Sequence, residues 1–577
     1  PPRSTLFPYT TLFRSDLQML WLKALEENGP RVDARLLGEY WLGFVPVDWG
    51  EYGISKANQR LGFPPPLSGQ VRNKWRDSNG AWIRSEIWAC VAPGCPDLAA
   101  RYAWEDACVD HGTAEGTYAE MFTASLESAA FVERDRDKLL AVALSYIPPD
   151  CAVARSVKAA MKAKADGLDW AAARALVVKE SASTGWFMAP QNVAFTVLGW
   201  LYGDGDFGKS ICAAVNCGDD TDCTGATLGS LLGIINGSKS IPDRWRAPVG
   251  EGIRTVAIAG FDNPKTVAEL TDKTLAMAKR VLAEYEAPVA IGGAAAKTGD
   301  LELINPAAAK ALWARSAYQL SADLVALKAT LDLRDDPVLA ADTPWPVTVT
   351  LVNHTPHAQR VSLTWRLAEG LTGPQPTTVE LPASGRLEVP AELKAATVAA
   401  RSVRGSLEIS SAGRTQIGVI PFAVGTRPAP RPGNLTPGAK VTVDSEYSHE
   451  PGCAKLLIDS EITSADDFEG RRWHAELKPH PHWAQIELAK SATIGRVVLH
   501  SADPKGHPVS FVGEVSADGQ AWTKVFEETD WQDPLVYDKS FEPREGRFFR
   551  VTIRKSSSTE YPDAAQLSEI ELLPPGK

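Results

Sequence analysis

From Asp16 onward the chain places apolar residues at helical spacing. In DLQMLWLKALEENGP the residues Leu17, Leu20, Trp21 and Leu25 fall near one face, and Asn28-Gly29-Pro30 ends the run. The same period marks helices near 97–109, 115–133, 136–146, 152–165, 169–180, 189–203, 206–215, 223–237 and 265–286. Few stretches there alternate at period two, so the pattern predicts an all-α domain over residues 16–286. Small residues, PVAIGGAAAKTG, then open a connecting segment that takes 287–324. After it the texture changes. WPVTVTLVN, QRVSLTWRL, TTVELP, RLEVP, VRGSLEIS and TQIGVIPFAV are short β-branched runs separated by Gly, Pro and Asn. They predict an immunoglobulin-like sandwich over 325–425. A Pro-rich spacer follows at 426–436, and a second set of strands fills 437–577. The expected fold class is therefore multidomain: one all-α domain and two all-β sandwiches.

The first fifteen residues, PPRSTLFPYTTLFRS, stand outside this pattern. Thr5-Leu6-Phe7 recurs as Thr11-Leu12-Phe13, with no starting Met and no apolar run of signal-peptide length. The stretch reads as translated sequencing adapter joined to a truncated gene, and it carries no fold expectation.

At 577 residues the chain is too long for one core. A net charge of −11 argues against a nucleic-acid surface, which needs a surplus of Lys and Arg. No uninterrupted apolar run reaches about 18 residues, so no membrane span is expected. Seven of the eight cysteines precede residue 230 and none forms a CxxC pair. That excludes a zinc ribbon or thioredoxin-like site and favours free thiols. His111 is the only histidine before residue 354, which removes a His-rich metal site or a His dyad from the helical domain.

The strongest local signal is Asn216-Cys217-Gly218-Asp219-Asp220-Thr221-Asp222-Cys223-Thr224, ahead of GATLGSLLGIING. Crowded carboxylates repel unless solvated or bound to cations. Asp220 and Asp222 can converge only on a non-helical turn, because residues two apart do not share a helix face. The other reading is an Asp N-cap with the remaining carboxylates in water. Gly225, Gly229, Gly233 and Gly237 form a stripe suited to close contact with a neighbouring helix. Carboxylates and hydroxyls are hard donors that suit Mg²⁺, Mn²⁺ or Ca²⁺.

The stretch AVNCGDDTDCTGATLG resembles the C-terminal signature of the ADP-ribosylglycohydrolase family, where Gly-Gly-Asp-Thr-Asp-Thr supplies ligands to a binuclear magnesium centre. The resemblance puts Asp220 and Asp222 at the two carboxylate positions, as metal ligands and catalytic residues. Asp219, a substrate-contact candidate, replaces a usual Gly, and Cys223 replaces the usual Thr ligand. A thiol is a poor magnesium ligand, so either a water fills that place or the metal preference differs.

Asn79-Gly80-Ala81-Trp82-Ile83-Arg84 resembles the family's Asn-Gly-Ala-Ala-Met-Arg stretch, and Asp110-His111-Gly112 sits where the family has a Thr-His or Ser-His pair. This implies substrate contacts for Asn79, Gly80 and His111, with Glu115 as a further candidate. From the residues alone, Arg84 could equally cap a helix or pair with Glu86, His111 could be a core residue, and Glu120 is expected in solvent. The family's other metal half is a Thr/Ser-Asp-Asp-Thr string before a helix that DLQMLWL resembles. Positions 12–15 read Leu-Phe-Arg-Ser instead. The first set of ligands is thus missing, and the implied activity belongs to the intact gene product. That activity is hydrolysis of a ribosyl N- or O-glycosidic bond, in an ADP-ribosylated protein or a small ADP-ribose conjugate.

The last 140 or so residues resemble a discoidin-like (coagulation-factor C-type) domain of the galactose-binding fold. The matching pieces are Asn434-Leu435, Leu457-Ile458-Asp459, Trp473, WAQIEL from Trp483, VSADGQAW from Val515, Arg547-Phe548-Phe549-Arg550 and Leu567-Ser568-Glu569-Ile570. The resemblance implies carbohydrate binding. Trp473 and Trp483 are expected in the core, Trp531 and Tyr561 at a ligand surface, and His474, His480 and His482 in solvent rather than on a metal. Two alternatives stay open: a glycoside hydrolase acting on a furanose-containing glycan, and a non-catalytic carbohydrate-binding surface protein. Sugar-binding modules favour an extracellular or periplasmic location, while the thiols argue the other way.

Overall fold

The computed structural model describes residues 12–182, 185–292, 301–396, 402–426, 430–447, 452–462, 472–501, 506–533, 535–559 and 561–576. The first eleven adapter-like residues, residues 293–300 of the connecting segment and residues 427–429 of the spacer lie outside them. The chain divides into two compact units, one running to Leu320 with Asp332–Asp336, the other comprising Ser321–Leu331 and Pro337 onward.

The first unit is helical. Every helix expected after residue 96 is present, with ends shifted by three residues or fewer. Several start where an aspartate side chain accepts an otherwise orphaned N–H: Asp135 from Lys138, Asp169 from Ala172 and Asp206 from Lys209. The first helix spans Leu12–Asn28 and so begins inside the stretch set aside as adapter. Its Leu17, Leu20, Trp21 and Leu25 are fully buried. Trp21 stacks between Trp41 and Trp88, at centroid distances of 5.8 and 6.4 Å, and Trp88 stacks on Tyr102 at 5.1 Å. Each large apolar side chain so buried stabilises the fold by roughly 1.5–3 kcal/mol.

Helices at Ala34–Phe44, Gly50–Leu61 and Glu86–Val91 lie outside the expected set, although the first two are amphipathic. The Gly50–Leu61 helix buries polar residues: Ser55 donates to Val109 O (2.7 Å), Lys56 to Val45 O (2.9 Å), and Asn58 to Ser68 O and Val71 O (2.9 and 2.8 Å). Burial of polar groups is tolerated because each finds a partner. The glycine stripe is only partly an interface. A Cβ on Gly225 would come 3.0 Å from Val215, Gly229 makes ordinary contact with Ile211, and Gly237 ends the helix at φ +81°. The tighter approach to the Phe207–Val215 helix comes from Gly199 and Gly203, where a Cβ would meet Ala214 at 2.5 Å and Ser210 at 1.9 Å.

The second unit is all β. Two five-stranded sheets form the first sandwich. In one, the strands are ordered Gln319–Asp323, Leu327–Asp332, Pro344–Asn353, Arg386–Ala395, Leu371–Thr372; in the other, Val338–Leu339, Ile417–Thr426, Ser402–Ser411, Gln359–Leu367, Thr377–Leu381. Alternate residues Val347, Val349 and Leu351 are fully buried, as period two requires. The C-terminal part is a six-stranded sheet built around long strands His482–His500 and Val536–Ser556, with Trp473 in its core. Trp483 departs from expectation. It points away from Ala484 and Ile486 to the outer face, half-buried, beside Arg550, which lies 3.9 Å over Trp522. His482 is buried rather than solvated, bonded to Asp444 (2.8 Å) and Lys478 O (2.9 Å). Trp531 packs edge-on against Tyr537, whereas Tyr561 is exposed. All eight cysteines are free thiols. Among the described residues no helix is long and apolar enough to cross a membrane.

Candidate active site

The turn between the Phe207–Val215 and Thr221–Asn236 helices shapes the site. Gly218 (φ +86°) and Asp219 (φ +58°) are both left-handed, which reverses the chain within two residues. Aspartate is one of the few side chains that tolerate this conformation, which explains how Asp219 can stand in a glycine position. Its carboxylate accepts from Gln191, and burial raises its pKa. Asp220 occupies the N-cap position, yet its side chain caps nothing. It accepts instead from Asn79 Nδ2 at 2.7 Å, while its own N–H donates to Asn192 Oδ1 at 3.1 Å.

Donor atoms of Asp220, Asp222 and Cys223 all lie within 4.8 Å of one another. Two carboxylates at such a distance repel by roughly 3 kcal/mol at an effective dielectric near 20. Burial, and then Asp222, push Asp220 up to about 7. Burial also raises the Cys223 thiol well above its ordinary value. Asp220 and Asp222 therefore form a paired, hard-oxygen donor set of the kind that takes a divalent cation.

Three consecutive residues tie this turn to the domain interior. The backbone at 77–79 pairs with 187–189, through Asn79 N–H to Phe187 O (3.0 Å) and Ala189 N–H to Asp77 O (2.9 Å). Ser78 Oγ lies 3.1 Å from His111 Nε2, and Asn79 holds Asp220. Gly80 leaves room for Glu51: a Cβ there would sit 1.7 Å from Glu51 Oε1.

Behind them Arg84, fully buried, binds Asp106 (Nε to Oδ1, 3.0 Å), Asp110 (Nη2 to Oδ1, 2.7 Å) and Gly80 O (2.7 Å). Trp88 donates to Asp106 at 2.9 Å, and the guanidinium rests 5.0 Å over Trp41. Burial alone would raise Asp110, but Arg84 and then His111 hold it below the ordinary carboxylate value. His111 Nδ1 is 2.9 Å from Asp110 Oδ1, at ion-pair distance without hydrogen-bond alignment. Glu51, Asp110 and His111 also converge within 4.8 Å, and burial pushes Glu51 to about 7. Arg84 already engages both oxygens of Asp110, so in this second cluster Asp110 serves as an anchor for Arg84.

Residues 14–288 match the ADP-ribosylglycohydrolase family, and residues 440–569 match the F5/8 type C domain. The helical unit is an ADP-ribosylglycohydrolase-family domain. No match was found among curated proteins. Similar solved structures include a Clostridium perfringens module in complex with GalNAc-β-1,3-galactose (19% identity, 24% of this chain, 99% of that chain, TM-score 0.21). Another is chitosan-binding module 1 of a chitosanase/glucanase from Paenibacillus sp. IK-5 (24% identity, 24% of this chain, 97% of that chain, TM-score 0.20). A third is a family 32 carbohydrate-binding module from C. perfringens in complex with galactose (16% identity, 24% and 95% coverage, TM-score 0.20).

Within the ADP-ribosylglycohydrolase domain, several side chains differ from expectation. Arg84 pairs with Asp106 and Asp110; Glu86 instead accepts from Gln18 (2.8 Å) and from Arg14. Glu120 is fully buried, not solvated, and burial, then Asp106, raise it well above its ordinary value. Glu115 accepts N–H bonds from Ala152 (2.7 Å) and Val153 (2.9 Å), so both its oxygens serve the start of the Ala152–Ala165 helix. Ser78, Asn192, Gln191 and Glu51 had no sequence signal of their own. Each matters through a partner far along the chain, and only the flanking Asn79-Gly80 hinted at the place.

Proposed function

We propose that the helical domain hydrolyses a ribosyl N- or O-glycosidic bond, in an ADP-ribosylated protein or a small ADP-ribose conjugate, with a hard divalent cation at Asp220 and Asp222. Magnesium is the first candidate, with Mn²⁺ or Ca²⁺ fitting the same donors. The observation that carries the reading is the convergence of these two carboxylates at the head of a helix, with Asp220 just before it and capping nothing and Asp222 inside its first turn. The donor set fits one such ion, because residues 12–15 offer no carboxylate for a second. When bound, the ion orients ribose hydroxyls and lowers the pKa of a water for attack at the anomeric carbon.

The chain's own residues do the positioning. Asn79 fixes the Asp220 carboxylate, and Ser78 and Asp110 hold His111 behind it. Glu51, kept near its protonation midpoint at neutral pH, is able to give or take a proton beside Gly80. The F5/8 type C domain supports a carbohydrate-binding role for the C-terminal part, and it favours a second reading in which the substrate is a furanose-containing glycan.

The test is release of free ADP-ribose from modified protein in the presence of Mg²⁺, by this chain and by an Arg14→Asp variant. Release is expected from the Arg14→Asp variant, and Asp222→Ala in that background is expected to abolish it. Full activity after Asp222→Ala or chelation would overturn the reading. Pentose release from a glycan panel, with ADP-ribose conjugates untouched, would favour the second.

A further inference from the structure

We propose that Trp186, buttressed by Phe187 and Trp75, is a stacking platform beside the carboxylates that takes a sugar ring joined directly to the ribosyl residue. The inference rests on the glycosidic reading of Asp220 and Asp222, and it names the group on the far side of the bond. Among the described residues two tryptophans are exposed, Trp186 at 49% and Trp49 at 41%. Both belong to one cluster of rings. Phe187 is tilted against Trp186 at a centroid distance of 5.1 Å, and Trp75 stands edge-on to Phe187 at 6.0 Å. Gly50, next to Trp49, lies against Trp75, where a Cβ would come 3.9 Å from the indole. A scattered exposed aromatic carries little meaning, whereas clustered rings with open faces mark a contact surface.

Two buried amides tie this cluster to the candidate site. Asn192 donates to Trp186 O at 2.8 Å and accepts from the Asp220 N–H at 3.1 Å, so one side chain separates the Trp186 backbone from Asp220. Asn79 donates its N–H to Phe187 O at 3.0 Å and its side-chain amide to Asp220 at 2.7 Å. The platform therefore lies next to the reacting ribose. In ADP-ribose the adenine is removed from that ribose by a diphosphate and a second ribose, so a platform this near serves the ring attached directly to it. An indole offers a broad, flat apolar face at little entropic cost, which suits the C–H face of a sugar. The F5/8 type C domain on the same chain supports a carbohydrate as that ring. Binding energy from such a non-reacting ring is available to orient the bond that breaks.

The experiment labels the full chain with 5-fluorotryptophan and follows the fluorine resonances by nuclear magnetic resonance, with position 186 assigned through Trp186→Phe. Ribose, a ribofuranosyl-glucose disaccharide, inosine and ADP-ribose are titrated in turn with Mg²⁺ present. The Trp186 resonance is expected to shift with the disaccharide and to stay in place with ribose or ADP-ribose. Reading the signal at this position separates the platform from sugar binding by the F5/8 type C domain. Disaccharide affinity, read at the Trp75 resonance, should fall about fivefold or more in Trp186→Ala and be largely kept in Trp186→Tyr. No shift at Trp186 with the disaccharide, or a larger one with inosine or ADP-ribose, would overturn the platform as a sugar site. In the Arg14→Asp background, pentose release from the disaccharide with KM unchanged by Trp186→Ala would also overturn it, while leaving the carboxylate reading standing. Release that survives Asp222→Ala would instead bring down that reading.

Discussion

Replacing Arg84 by leucine tests whether the polar interior behind the site is held together by one guanidinium. The native side chain is fully buried and bonds both oxygens of Asp106, both of Asp110 and the carbonyl of Gly80. Leucine fills part of the volume but leaves two buried carboxylates without their cation. Removing one partner of a buried ion pair costs about 3–5 kcal/mol. For a unit of this size that is a fall in Tm of roughly 6–20 °C.

The loss should depend on pH. Asp110 is held below its ordinary value of 3.8, chiefly because Arg84 outweighs the effect of burial. Its stabilising contribution is therefore present above that value and is lost as pH falls through the lower folded one. In Arg84→Leu only burial and the neighbouring charges remain, and the Asp110 pKa rises. The difference between the two proteins is then largest near neutrality and shrinks toward pH 5. Chemical denaturation of the full chain followed by tryptophan fluorescence reads this directly, since Trp41 and Trp88 contact the network. A loss below about 1 kcal/mol at pH 7, or one identical at pH 5 and 7, would refute the reasoning.

Two further outcomes follow from the same interior. Burial places Glu51 near 7 against an ordinary 4.5, so the folded chain binds that proton more tightly and loses stability as pH rises between those values. Glu51→Gln removes the effect and should gain on the native chain by up to about 3 kcal/mol across that window; a gain that shrinks with rising pH would contradict the assignment. Glu115→Ala deletes the two N–H bonds at the start of the Ala152–Ala165 helix and should cost about 1–2 kcal/mol in denaturant titration. Mn²⁺ affinity, measured in the Arg14→Asp background, should be untouched; a tenfold loss or more (about 1.4 kcal/mol) would make Glu115 part of the site rather than its scaffold.

What the sequence determined by itself was local. Helical spacing after Asp16 and alternation after residue 325 separated the helical unit from the β unit, because one-sided burial leaves a period in the chain. Asp220 and Asp222 could be named because they stand two apart where a helix begins, although the helix takes in Asp222 where the sequence led us to expect a non-helical turn. Only the tertiary structure decided who answers whom. Asn79 meets Asp220 across 141 positions, Arg14 meets Glu86 across 72, and Arg84 chooses Asp106 and Asp110 over nearby Glu86. Glu120 reads as a surface residue because charge ordinarily marks solvent, yet packing buried it, and it buried Glu51, which carries no signal of its own, as well. Trp483 and His482 exchanged their expected faces for the same reason that register matters in any strand: a side chain's neighbours across the sheet, not its own character, set its side. Periodicity is a property of a segment, whereas the pairing of buried charges is a property of the packed whole.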